Sequence, residues 1–384
     1  MKTYNFDELV NRKGTDSYKW DVKDNELPMW VADMDFAVLP EVVTAIQKRL
    51  EVPAFGYCGV PKEYYESYRS WWKRNHQVDL SIDDMTFSSG VVASIDSIFK
   101  HIVPKGSGVI IQSPVYHVFK HCIKNNGLKV ANNKLLYDGK DYRIDFANLE
   151  ELLKDDNNKV FLLCNPHNPV GRVWSEEELK KIISLCEKYD VLLLSDEIHC
   201  DIGEPGYAYN SVLKYSDKAV ALFAPSKVFN LASLHCSVVA CRDHDLLNKI
   251  EEGLGQDDLG EPNYFGPYGT IAAFTHGDEW VKEMNEYVFN NKRYMNEFIK
   301  KELPKLHLVD NKATYLLWLD ISSYSSDSED FAKRLREKTG LFVSCGKQFG
   351  PGGEAFLRIN VATSLKNVKD ACNRLKTFIQ EEYK

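Results

Sequence analysis

The chain is poor in several things at once. No stretch of about 18 apolar residues occurs that could cross a membrane as a helix. No internal repeat or low-complexity tract is visible, and none of the nine cysteines stands in a CxxC pair. The cysteines, at positions 58, 122, 164, 186, 200, 236, 241, 345 and 372, are scattered and odd in number. That pattern argues against a disulfide framework or a structural zinc site and for reduced, mostly buried thiols, so no metal is expected and a cytoplasmic setting is. The opening MKTYNFDELVNRKGTDSYKWD carries charges and has no apolar centre, unlike a secretory signal. Basic charge is also short. Against 48 Lys and Arg stand 56 Asp and Glu, a formal net charge of −8 with a pI near 5.8. Such a surface repels phosphate backbones and speaks against nucleic-acid binding.

What is present is ordinary soluble-globular material, 44% hydrophobic and 27% charged over 384 residues. That length predicts two domains. From about residue 85 to residue 245, short apolar runs alternate with segments of helical period. The runs Val109–Gln112, Val160–Cys164, Val191–Ser195, Ala219–Phe223 and Ser237–Cys241 are largely apolar on both faces, as in strands of a mostly parallel sheet covered on both sides. Between them, Ser175 with Glu178 forms a capping box, and Leu179, Ile182, Ile183 and Cys186 follow the spacing of a one-faced helix. These features predict an α/β architecture. The last hundred residues read as α+β: a long helix over Glu279–Leu303 ended by Pro304, strands at Tyr315–Asp320 and Phe356–Val361, and helices at Glu329–Lys338 and Lys366–Tyr383. The expected division is an N-terminal segment, 1–45, packing near the site or on the smaller domain; a large domain, 46–280; and a small C-terminal domain, 281–384.

Open α/β sheets bind ligands beyond the carboxyl ends of their strands. Polar residues follow the apolar runs in Ser-Gly-Val-Val (89–92), Ser-Pro-Val-Tyr (113–116), Asn-Pro-His-Asn-Pro-Val-Gly (165–171), Ser-Asp-Glu-Ile-His (195–199) and Ala-Pro-Ser-Lys (224–227). Each has a bland reading. Lys227 alone reads as a surface charge, Asp196 as a strand-end carboxylate capping a turn, Asn168 as a turn former, Tyr116 as a core aromatic and Arg358 as a strand arginine with an acidic neighbour. The start Gly90-Val91-Val92 suits a phosphate at a helix N-terminus, or is simply a helix N-terminus.

Taken together, NPHNPVGRVW (165–174), SDEIH (195–199) and APSKVFN (224–230) resemble the signature order of fold-type I pyridoxal-phosphate enzymes. More narrowly, PMWVADMDF (28–36), GYCGVPKEYYESYRSWW (56–72), THGDEW (275–280), TYLLWLD (314–320) and FLRIN (356–360) resemble the cystathionine β-lyase-like C–S lyases of the MalY/PatB type, over nearly the whole chain. The resemblance implies the pyridoxal-phosphate transferase fold, with a mostly parallel seven-stranded sheet in the large domain. It implies pyridoxal 5′-phosphate held as a Schiff base on Lys227, which also moves the Cα proton. Asp196 then faces the ring nitrogen, Asn168 and His199 the phenolic oxygen, and Tyr116 the ring face, with a possible further part in leaving-group departure. Gly90, Val91, Val92 and Ser226 hold the phosphate, joined by Tyr57 of a neighbouring subunit, so that a homodimer is implied. Arg358 takes the substrate carboxylate, with the backbone at Ala32 and Asp33.

Three departures stand out: Ser233 where the family usually has glycine, His235 where aminotransferases carry a phosphate-binding arginine and lyases commonly glutamine, and GEPGYAYN (203–210) in place of the usual lip. The implied reaction is α,β-elimination of L-cystathionine or another cysteine S-conjugate to a thiol, pyruvate and ammonia. An aminotransferase using the same residues is the alternative. A regulatory protein that binds the cofactor and acts through its surface is a third reading, from another class. No partner is expected beyond the amino-acid substrate and a second copy of the chain.

Overall fold

In a computed structural model that describes residues 4–383, the apolar runs become one seven-stranded sheet. In chain order its strands are β1 (Met85–Ser88), β2 (Gly108–Ile111), β3 (Lys129–Asn132), β4 (Asn158–Cys164), β5 (Leu192–Asp196), β6 (Val220–Phe223) and β7 (Ser237–Ala240). Their spatial order is β1-β7-β6-β5-β4-β2-β3. All neighbours are parallel except those of β7, which runs antiparallel to both β1 and β6. Side-chain alternation explains the doubly apolar strands. Phe161 and Leu163 enter the core on one face, while Val160, Leu162 and Cys164 enter the core on the other.

Two of the seven strands were not among the predicted runs. In β3 the residues Lys-Val-Ala-Asn are only partly covered, as befits an edge strand, and β1 is a fully buried Met-Thr-Phe-Ser too short to stand out by pattern.

The helices include α1 (Val91–His101), α2 (Val118–Asn125), α3 (Glu176–Lys188), α4 (Asp278–Glu302), α5 (Ser328–Thr339) and α6 (Leu365–Glu382), of which α1 and α2 contribute residues to the site. At the start of α3, Ser175 Oγ accepts from Glu178 N at 3.1 Å while Glu178 Oε2 accepts from Ser175 N at 2.8 Å, the reciprocal pair read from the sequence. The C-terminal part carries an antiparallel four-stranded sheet: β8 (His307–Leu308), β9 (Leu316–Asp320), β10 (Ser344–Cys345) and β11 (Phe356–Asn360), ordered β8-β9-β11-β10.

The N-terminal segment does find sheet partners. Leu27–Pro28 pairs in parallel with Leu341–Phe342, and Asn360 N donates to Met29 O at 2.9 Å. Met29–Met34 is thereby laid along the C-terminal sheet. Asn230 holds the same stretch from the other side, its amide exchanging hydrogen bonds with Met34 N (3.1 Å) and Met34 O (3.0 Å).

Candidate active site

The carboxyl ends of β1, β4, β5 and β6 open onto a cavity of about 1030 Å³ whose far wall is built from Met29–Met34 neighbours and from β10 and β11. Of the residues singled out in the sequence, Ala32, Gly90, Val91, Val92, Tyr116, Asn168, Asp196, His199, Ser226, Lys227 and Arg358 all line it. A second cavity, of about 470 Å³ and lined by Lys159, Asp190 and Asp243 among others, contains none of them.

Two named residues lie outside the first cavity: Asp33, expected in it, and Tyr57, expected at the phosphate of a neighbouring subunit. Asp33 does not line the cavity. Its carboxylate is held by Arg12 at 2.7 Å, with Lys19 at 3.6 Å, and its carbonyl accepts from Asn360 Nδ2 at 2.6 Å, so only its neighbour Ala32 presents backbone to the site. Tyr57 is fully exposed and outside the cavity of its own chain, because the 52–61 stretch forms no regular element and lies on the surface.

Lys227 sits in the turn after β6, where the buried Ala224 and Pro225 before it and the buried Val228 and Phe229 after it anchor the chain around the partly covered lysine. Its Nζ donates to Ala32 O at 2.9 Å, an oxygen that also accepts from Tyr315 Oη at 2.9 Å. Burial lowers its pKa; Asp33 opposes this, Arg358 adds to it and Asp196 opposes it. The bland reading of a solvated lysine therefore fails on geometry.

Asp196 ends β5, buried, with one oxygen accepting from Ile198 N at 3.1 Å. Burial pushes its carboxyl up to about 7, against the backbone hydrogen bond and the Lys227 charge. A buried acid raised this far suits a cationic partner at its remaining valences, as a protonated ring nitrogen would be. The turn beyond it is fixed from outside: Trp71 Nε1 and His76 Nε2 both meet Asp201 Oδ1, at 2.8 and 2.7 Å. His199, buried in that turn, has no hydrogen-bond partner on its ring among the described residues. Burial, then the charges of Lys227 and Arg358, lowers it to about 3, leaving a neutral imidazole in the cavity wall.

Asn168 lies in the loop after β4, whose sharp return needs Gly171. That residue has φ +71°, and a Cβ there would stand 1.7 Å from Asn311 Nδ2. Asn168 Oδ1 accepts from Arg358 Nη1 at 3.2 Å. Arg358, in the middle of β11, is buried and also donates from Nη2 to Trp30 O at 2.8 Å, while its Nε has no partner. Among the described residues it forms no ion pair, and burial lowers it to about 10. No acidic neighbour of the bland reading stands beside it among the described residues; the guanidinium is free to take an anion.

At the other end, Gly90 precedes α1 with no side chain capping the helix, and a Cβ at Gly90 would meet nothing within 4 Å. The unsatisfied first N–H groups of α1 thus face open space flanked by Ser226, a fitting cradle for a phosphate. Of the two departures nearby, His235 lines the cavity with a left-handed backbone of φ 48°, and Ser233 does not line it. Tyr116 is half-buried, its hydroxyl raised by burial with Arg358 opposing.

The residues that sequence reasoning passed over are Trp30, His117, Asn230, Tyr315 and Ser344. Trp30 and Asn230 fall inside quoted motifs, but nothing local distinguishes them from packing residues. Only the convergence of Met29–Met34, β6 and β11 gives them a place.

Residues 26–375 match the family model described as aminotransferase class I and II, and the chain belongs to that family. Within it, the chain is 36% identical to cystathionine beta-lyase PatB of Bacillus subtilis (strain 168), covering 98% of this chain and 100% of that protein. Among solved structures it is similar to cystalysin from Treponema denticola, which contains a pyridoxal 5′-phosphate cofactor, with TM-score 0.95 and 32% identity over 98% of this chain and 99% of that one. It is likewise similar to the PLP-bound C–S lyase from Staphylococcus hominis, with TM-score 0.91 and 32% identity over 98% of each chain.

Proposed function

We propose that this chain is a pyridoxal-phosphate-dependent C–S lyase that eliminates the thiol from L-cystathionine or a related cysteine S-conjugate, leaving pyruvate and ammonia. The observation that carries the reading is a single cavity holding the Lys227 amine, the buried Asp196 carboxyl and the buried Arg358 guanidinium, none of them in an ion pair among the described residues. Bound there, pyridoxal phosphate supplies an aldehyde for an amine and an electron-withdrawing ring that makes the Cα proton of an amino acid removable.

The chain's own residues do the rest. Gly90, Val91, Val92 and Ser226 hold the phosphate. Asp196 would face the ring nitrogen as its counter-charge, Asn168 and His199 would meet the phenolic oxygen, and Tyr116 would cover the ring face. Arg358 binds the substrate carboxylate by its fork of donors and fixes which bond at Cα stands ready to break. The Lys227 amine, whose pKa burial lowers, would take the Cα proton. The thiolate then leaves Cβ with the electron pair of the C–S bond and takes up a proton, and the released aminoacrylate is hydrolysed by water to pyruvate and ammonia.

The division at residues 45 and 280 belongs to this reading, as does a homodimer in which Tyr57 reaches the partner's phosphate. Tyr57 is free to do so on its exposed stretch, beside a cluster of Phe55, Tyr264 and Phe265. A homocysteine product places the activity in methionine biosynthesis, in the cytoplasm, where nine unpaired cysteines stay reduced.

The test is incubation of the purified protein, saturated with pyridoxal phosphate, with L-cystathionine and no keto acid. Catalytic pyruvate and free thiol are expected. A requirement for added keto acid would make it an aminotransferase, and no turnover of any amino acid would leave a cofactor-binding regulator.

A further inference from the structure

Besides His235, the cavity wall carries two neighbouring imidazoles that the proposed chemistry does not use. His117 and His121 lie one helical turn apart at the start of α2, their rings 5.7 Å apart, and both line the cavity. His117 belongs to the Arg358 end. Its ring packs 6.0 Å from that of Phe349, and the Arg358 guanidinium lies 4.8 Å from the same Phe349 ring. Neither nitrogen of His117 has a hydrogen-bond partner among the described residues, and Nδ1 is buried from solvent as well. Burial, then Arg358 and His121, holds the imidazole below its ordinary value, so it is a neutral donor and acceptor rather than a cation.

The position follows from the rest of the site. With the carboxylate of an amino acid on Arg358 and its Cα near Lys227, the side chain leads away from both. Lys227, Asp196 and the start of α1 are taken up by the cofactor reading, and the remaining wall includes Tyr18, Trp30 and Ser344 together with His117, His121 and Gln348.

We propose that His117 is a specificity-determining residue that hydrogen-bonds the substituent on the substrate's sulfur, so that the chain selects cysteine S-conjugates whose substituent ends in a carboxylate over those ending in a bare alkyl group. The inference rests on the C–S lyase reading for its substrate class. The physical reason is the asymmetry of polar pockets: a half-buried imidazole without partners gains a charge-assisted hydrogen bond from the polar substituent and keeps an unmet one beside an alkyl chain.

Two measurements on the cofactor-loaded protein test it. In the first, kcat and KM are compared for L-cystathionine and S-ethyl-L-cysteine in the wild type, His117→Phe and His117→Asn. His117→Phe is expected to lower kcat/KM for cystathionine about tenfold, mainly through KM, and to leave S-ethylcysteine within about twofold; His117→Asn restores part of the loss. In the second, binding of the unreactive L-2-aminoadipate and L-norleucine is followed by the change in cofactor absorption, which needs no elimination. The wild type is expected to prefer the carboxylate-ended ligand and His117→Phe to lose that preference. Parallel loss for both substrates, or an unchanged ligand preference in His117→Phe, overturns the proposal. A wild type that binds both ligands with the expected preference but eliminates neither thioether overturns the lyase reading and leaves the role of His117 in ligand selection standing.

Discussion

Arg358 Nη1 and Asn168 Oδ1 stand 3.2 Å apart, joining the middle of β11 to the loop after β4 across 190 positions of chain. The contact ties the proposed substrate-carboxylate site to the proposed cofactor site through one hydrogen bond. Movement of the C-terminal sheet would be felt at both.

Arg358 is a buried cation with no ion pair among the described residues, so its charge is a cost in the substrate-free protein. Arg358→Met is expected to leave the melting temperature unchanged or raised. The same variant should lose about a hundredfold or more in kcat/KM for any α-amino acid, the worth of a bidentate carboxylate pair at roughly 3 kcal/mol. Scanning calorimetry and steady-state kinetics read the two arms. A variant that is both destabilised and fully active would contradict the assignment.

Lys227→Ala is expected to abolish elimination, by about a thousandfold or more, since no second amine lines the cavity among the described residues. Borohydride treatment of the cofactor-loaded wild type should add the mass of the reduced cofactor to the peptide containing Lys227, and treatment of the variant should add nothing. Label appearing on any other lysine would sink the role given to Lys227.

Asp196 titrates near 7 in the folded chain against 3.8 for an ordinary aspartate. Between those values the native state holds a proton that the unfolded state has released. Its contribution is therefore present at low pH and lost as pH rises from about 4 to 7. Relative to Asp196→Asn, the wild type stripped of cofactor should lose roughly 1–3 kcal/mol of stability over that range. Urea titrations of both proteins at several pH values measure the difference, and adding pyridoxal phosphate should shrink it. The comparison must be with the variant, because the buried His199 and His167, lowered to about 3 and 4, pull the absolute curve the other way.

Tyr57→Phe should weaken pyridoxal-phosphate binding about tenfold, the value of one charge-assisted hydrogen bond, with the fold intact. Sedimentation should find a dimer. A monomer at working concentration, or unchanged cofactor affinity, would remove Tyr57 from the site.

Ser175→Ala removes one half of the capping box at α3 and should cost about 1 kcal/mol of stability without touching catalysis. Unaltered denaturant midpoints would show that Glu178, which also pairs with Arg172 at 2.7 Å, holds the helix start alone.

Strand β4 and helix α3 were legible because their signals are local. Apolar residues on both faces of β4 and the Ser175–Glu178 spacing are visible to anyone reading neighbours. Strand β3 was not, since an edge strand need be neither apolar nor alternating, and the antiparallel direction of β7 leaves no mark in its own four residues. In the site, Lys227 and Asp196 were found by their place after apolar runs and by resemblance. Asp33 was expected in the pocket as a neighbour of Ala32, and the structure turns it away to Arg12 and Lys19. His117 went unnoticed beside Tyr116, because nothing in a local string says which of two adjacent aromatic rings lacks a partner.

By itself the sequence determined the alternation of strands and helices, the absence of a membrane-spanning helix, and the order of polar motifs at strand ends. Those are set by periodicity, capping and composition, which act between near neighbours. Only the tertiary structure decided that Ala32, Asn168, Asp196, Lys227 and Arg358 share one cavity, that Arg358 has no counter-ion among the described residues, and that burial moves the ionisation of Asp196, His199 and Lys227. Desolvation depends on everything packed around a group, and those neighbours come from strands and segments hundreds of residues apart.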